Sequence, residues 1–174
     1  MTTDALTDAQ RLHQHIRHHI ISILETGTAL HQLNDPAAQQ MMDVDEAVSI
    51  ASDIIGDLRP GVDPYDDAAA VADAVREAVS EDPLDVEIHG ARPLHSDEWT
   101  ETTAHILLSY GGPNIWLVAP LDDPTSAWMK GAWGSSADEQ PVITHPADEP
   151  ALLAYLDALG IPYETPDAYR QPRS

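Results

Sequence analysis

The hydrophobic period changes at Pro83, and this switch constrains the chain more than any other feature. Before it, apolar residues recur at steps of three and four, and after it they alternate with polar ones. The first spacing belongs to helices that bury one stripe, the second to strands that bury one face. The expected fold class is therefore α+β: N-terminal helices, then an antiparallel β-meander closed by a C-terminal helix. The division predicted is an acidic helical region at 1–83, a sheet with its closing helix at 84–164, and a loose tail at 165–174.

The helical half is punctuated three times. Thr7-Asp8-Ala9-Gln10 has the form of a capping box, in which hydroxyl and amide satisfy free N–H groups at a helix start. Leu12, Ile16, Ile20, Ile23, Gly27 and Leu30 then make one stripe. Asn34-Asp35-Pro36 ends that helix and opens a second, with Asp35 as cap and Pro36 at the first position. The second stripe, Met41, Val44, Val48, Ala51, Ile55 and Leu58, predicts one continuous helix up to Arg59-Pro60-Gly61. Asp63-Pro64 repeats the start signal. Ala68, Val71, Ala72, Val75, Ala78 and Val79 follow as a third stripe, closed by Asp82-Pro83.

Beyond Pro83, Leu84, Val86 and Ile88 alternate with Asp85, Glu87 and His89, which predicts a half-buried strand. Residues 100–110 read as a second strand, Gly111-Gly112-Pro113-Asn114 as a turn, and 115–118 as the returning third. Residues 127–133 make a fourth strand and 141–145 a short fifth. Asp148 and Pro150 open a last helix over 151–159, with Gly160 as its left-handed stop.

The chain has 30 acids against 8 Lys and Arg, a formal charge of −22. Residues 43–101 alone carry 17 of the acids and 3 of the bases. Such a balance excludes direct binding to nucleic acid, whose phosphates need cations. The absence of Cys excludes disulfides and thiolate chemistry. No apolar run is long enough to span a membrane and no leader pattern opens the sequence, so a cytoplasmic chain is expected.

Asp43, Glu46, Asp53 and Asp57 fall within about 80° of one another over roughly 21 Å of the second helix. Asp66, Asp73, Glu77 and Glu81 do the same over roughly 22 Å of the third. The usual i,i+4 pairing with lysine is missing, so these stripes repel themselves. They are the candidate binding residues. Their expected partner is a basic protein of the kind that binds nucleic acid, met by carboxylates standing in for phosphates. A solvated face in a salt-adapted (halophilic) chain is the alternative, because Asp exceeds Glu, Lys occurs once and Phe is absent.

Metal chemistry would rest on His13, His15, His18 and His19. His15 and His19 lie one turn apart, the spacing of a two-His metal pair. His31, Asp35 or His89 would have to complete that site, and a polar helix flank is the plainer use of these imidazoles. Ser109-Tyr110-Gly111-Gly112 is no nucleophile elbow, because a strand and not a helix follows it. Trp99, Trp116, Trp128 and Trp133 all fall in the sheet region, where core packing is the ordinary use of such rings and a ligand-stacking surface the alternative. No cofactor is expected. Ile50 and Ile54, apolar but off the main stripe, point to a second buried side of the second helix and to a homodimer.

Ile106-Leu107-Leu108-Ser109-Tyr110-Gly111-Gly112-Pro113, the returning strand, Trp133-Gly134 and Leu152-Leu153-Ala154-Tyr155 resemble a group of small accessory proteins encoded by phages, plasmids and integrated elements. Those carry a strand ending Ser-Thr-Gly-Gly-Pro, a hairpin, an aromatic-plus-Gly strand and a closing helix. The likeness covers residues 104–160, with Tyr110 where the group has Thr. It implies a mobile-element setting, in which small acidic proteins act as inhibitors of host restriction or CRISPR machinery, and it carries over no catalytic residue.

Overall fold

The computed structural model describes residues 7–41, 43–55 and 68–164. Asp57, Asp66, the helix stop at 59–61, the start signal at 63–64 and the tail from 165 lie outside them, as do the side chains of Met41, Val44, Ile55 and Ala68. The fold is α+β, with two compact units. One holds the sheet and comprises, of the described residues, 7–20, 83–144 and 161–164. The other is helical and comprises 21–41, 43–55, 68–82 and 145–160.

In the sheet unit five antiparallel strands follow in sequence order: β1 (Asp85–Ala91), β2 (Thr100–Ser109), β3 (Asn114–Pro120), β4 (Trp128–Trp133) and β5 (Ser136–Pro141). This is the expected meander. Gly111, with φ 88°, turns β2 into β3, a left-handed conformation that glycine adopts without a steric penalty. The fifth strand differs from expectation. It runs over Ser136–Pro141 and not 141–145, because Gly134 at φ 59° closes a tight turn that pairs Trp133 with Ser136. Its polar sequence, Ser-Ala-Asp-Glu-Gln-Pro, has no apolar period to reveal it, and an edge strand tolerates such charge.

One sheet face carries Ala104, Ile106, Ile115, Leu117, Ala119 and Met129, all fully buried. The first half of α1 (Asp8–Asn34) lies on it: a Cβ at Gly131 would touch Leu12 Cδ1 and Ile16 Cδ1, so this glycine is a notch under the helix. The capping box forms as predicted, with Gln10 N donating to Thr7 Oγ1 and Thr7 N donating to Gln10 Oε1. Leu84 and Val86 are 61% and 40% exposed, so β1 is far less buried than its alternation suggests. It is an edge strand, with β2 on one side only.

The helical unit contains the second half of α1, α2 (Pro36–Met41), α3 (Val44–Ile55), α4 (Ala68–Glu81) and α5 (Glu149–Ala158). Its core is Ile23, Leu30, Leu33, Ala47, Ala51, Val71, Val75, Val79, Leu152 and Leu156. Asp35 caps α2 as expected, its Oδ1 accepting from Ala37 N at 3.0 Å. The single helix predicted across 36–58 is instead two. Asp43 breaks it, because its Oδ1 accepts from Glu46 N at 2.7 Å and so caps the start of α3. Gly160, at φ 70°, follows α5 as expected.

Candidate functional site

Charge is unevenly divided between the two units. The described residues of the helical unit contain 13 acids and 1 base; those of the sheet unit contain 11 acids and 4 bases. Twelve of the 19 net negative charges on the described residues therefore belong to the helical unit. Arg76, the one Lys or Arg among the described residues of this unit, is tied down. Its Nη1 donates to Asp73 Oδ1 at 2.6 Å and its Nη2 to Asn34 Oδ1 at 2.7 Å.

Of the predicted binding residues that are described, all six are exposed. Glu46 and Asp53 return to within about 20° of each other on α3, roughly 10 Å apart along the axis. Asp73, Glu77 and Glu81 climb α4 in steps of about 6 Å, each turned by about 40°. Asp43 stands apart from the others because its carboxylate is engaged as a helix cap. Asp57 and Asp66 lie outside the described residues. Among the described residues no polar or charged side chain is buried, so every carboxylate described faces water. Ile50 and Ile54 are half-buried in α3.

His13 and His15 of α1 take partners on the sheet. His13 Nδ1 donates to Asp138 Oδ2 at 2.9 Å, and Gln140 Nε2 donates to the same oxygen at 2.9 Å, which ties α1 to β5. Burial disfavours a charge on Asp138, but the hydrogen bonds from Gln140 and His13 outweigh it and hold the carboxyl below its ordinary value. His15 meets the edge of Trp133, with ring centroids 5.6 Å apart, and His18 meets His19 at 6.3 Å. Among the described residues no group of three His, Asp or Glu is placed to hold a metal ion. His15, one of the two histidines at metal-pair spacing, thus has an aromatic neighbour that the spacing did not reveal.

The sheet face away from α1 holds a second constellation that sequence reasoning missed. Register places Glu87, His105, Val118 and Trp128 in one row and Asp85, Leu107, Trp116, Lys130 and Glu139 in the next. Lys130, the chain's one lysine, sits 5.5 Å above the Trp116 ring. His89 and His105 stack at 3.9 Å with planes 9° apart, and Glu87 Oε2 lies 2.8 Å from His89 Nε2. The only trace in the sequence was the Glu-x-His spacing in β1, which puts both on one face. Trp116 and Trp128 are half-buried here, Trp99 is 61% exposed, and no Trp belongs to the fully buried core. Core packing, the ordinary expectation for these rings, does not describe them. Trp128 and Lys130, two apart on β4, share this face.

A cleft of about 480 Å³ opens between the start of β2, the loop after β3 and residues 162–164. Glu101, Asp122 and Glu164 line it together with Tyr163. Ser109-Tyr110-Gly111-Gly112 forms the hairpin turn and no nucleophile elbow. No helix among the described residues is long and apolar enough to cross a membrane. No protein-family model, curated protein or solved structure matches the chain.

Proposed function

We propose that this is a non-enzymatic acidic binding protein whose helical unit occupies the nucleic-acid site of a basic partner. The observation that carries this reading is the 13-to-1 excess of acids over bases among the described residues of the helical unit. Like charges on α3 and α4 repel, which works against the compact state. A partner rich in Lys and Arg relieves that repulsion, and long-range attraction speeds the encounter. Glu46 and Asp53 on α3, with Asp73, Glu77 and Glu81 on α4, are the contact residues proposed, with Asp57 and Asp66 beside them in the sequence. The resemblance of residues 104–160 to mobile-element proteins supports a restriction or CRISPR nuclease as the target and a cytoplasmic site of action.

Composition favours a second reading, adaptation to a salt-rich cytoplasm. Asp outnumbers Glu by 20 to 10 and a single Lys remains. Such adaptation spreads acids over every surface, and the concentration of charge in one unit speaks for the first reading.

The test immobilises the wild-type chain beside a variant carrying Glu46→Lys, Asp53→Lys, Glu77→Lys and Glu81→Lys, and presents both with purified restriction and CRISPR nucleases. A nuclease held by the wild type, released by salt or by competing duplex DNA, and ignored by the folded variant is the expected result. Equal retention on both, or retention that duplex DNA leaves untouched, rejects the mimicry.

A further inference from the structure

We infer that the free edge of β1 pairs with β1 of a second copy of this chain, antiparallel and centred on Ile88. The edge is open: β1 stands last in the sheet, with β2 on its inner side. Apolar side chains on and beside it are left partly exposed by the described residues. Val86 is 40% exposed, Leu84 61%, and Trp99, which lies over Gly90, 61%. The irregularity near its end does not spoil it. His89 pairs with Thr103 and Gly90 with Glu101, so the extra residue, Thr102, belongs to β2, and β1 runs on without an insertion.

Charge selects the register. The β1 sequence Asp-Val-Glu-Ile-His-Gly-Ala has two acids and one imidazole. Centring an antiparallel pair on Ile88 sets Glu87 opposite His89 of the second copy, and His89 opposite the second copy's Glu87. Two complementary pairs result from one contact. Centring on Glu87 sets that carboxylate against its own copy, and centring on Val86 sets Asp85 against the second copy's Glu87. Like charges directly opposite are destabilising. The other face agrees with the Ile88 register: Ile88 meets its own copy on the two-fold axis, and Val86 faces the second copy's Gly90, beneath the Trp99 ring. Asp85 and Glu87 guard this edge against indiscriminate strand addition, as charges on edge strands do, and in the Ile88 register neither meets a like charge. The result is a ten-stranded sheet with an isologous interface.

The chain has no Cys, so a single introduced cysteine reports on its own copy alone. Directly opposed residues lie about 4.5–5.5 Å apart between Cα atoms, within the roughly 4.4–6.8 Å that a disulfide spans. Position 86 would lie about 13 Å along the strand from its copy. Sedimentation of the full chain is expected to show a dimer. Ile88→Cys should become covalently dimeric on mild oxidation while Val86→Cys does not. Glu87→Lys should weaken the dimer roughly tenfold, and Glu87→Lys with His89→Glu should restore it. Added salt screens the repulsion between two copies of charge −22 and should tighten this dimer, whereas it weakens capture of a basic partner, so the two proposals fail separately. A wild-type chain that sediments as a monomer at every concentration overturns the inference. So does equal linkage at 86 and 88, faster linkage of Glu87→Cys than of Ile88→Cys, or a dimer indifferent to Glu87→Lys.

Discussion

Gly27 of α1 lies against the backbone of Ala151 in α5, so close that a Cβ at position 27 would strike the Ala151 carbonyl oxygen. Both belong to the helical unit, and the contact sets how near these two helices pack. Glycine in mid-helix gives up about 1 kcal/mol of helix propensity relative to alanine, so packing must return more than that.

Gly27→Ala is therefore expected to destabilise the protein by about 1–3 kcal/mol, as overpacking does. The obstacle is backbone, which no rotamer change can move. Urea denaturation checks it; a variant as stable as the wild type would mean that α1 and α5 are not in this contact.

Gly131→Ala should be milder. Its Cβ would meet Leu12 Cδ1 at 2.8 Å and Ile16 Cδ1 at 3.0 Å, the mobile ends of two side chains that can turn aside. The two glycine variants should rank in that order in the same denaturation series.

Asp43→Ala should cost about 1 kcal/mol through loss of the α3 cap. Asp43→Asn keeps an accepting oxygen and should cost much less, although both remove the charge. If the two variants behave alike, Asp43 acts through its charge and not through Glu46 N.

Stability should fall in two steps on acidification. Burial, then the charges of His89 and Lys130, hold His105 below its ordinary 6.5, with Glu87 pulling the other way. The unfolded chain then binds the proton more readily, so stability is full above pH 6.5 and declines as pH drops from there to the folded value. His105→Gln should flatten that step. Asp138 gives the second step, with linkage of the same sign. Its folded value lies below 3.8, so its contribution is present above 3.8 and is lost as pH falls through the folded value. Asp138→Asn should abolish it. Denaturation midpoints from neutral pH into acid read both steps.

Most of the fold was legible because its signals are local. Thr7 with Gln10, Asp35 with Pro36, Gly111 and Gly160 act within a few residues of themselves, and each stands where its chemistry predicts. The cap at Asp43 was missed, because the apolar period continues through it and reads as one helix. Strand β5 was hidden because Asp138, Glu139 and Gln140 have no apolar alternation, and its only marker was Gly134. The contacts of the site were not legible. His13 meets Asp138 and His89 stacks on His105 through register and helix docking, which no spacing within one segment encodes. The acids of α3 and α4 could be read as stripes and their concentration as a charge run; what the sequence could not give is that α5 joins them in one compact unit.

Thermal unfolding in dilute buffer and again in multi-molar KCl tests most directly whether this acidity is a binding surface. A cooperative melt already present in dilute buffer, raised only modestly by salt, is the predicted result. A chain unfolded in dilute buffer that folds only in concentrated KCl would contradict it, and would make the charge an adaptation to salt.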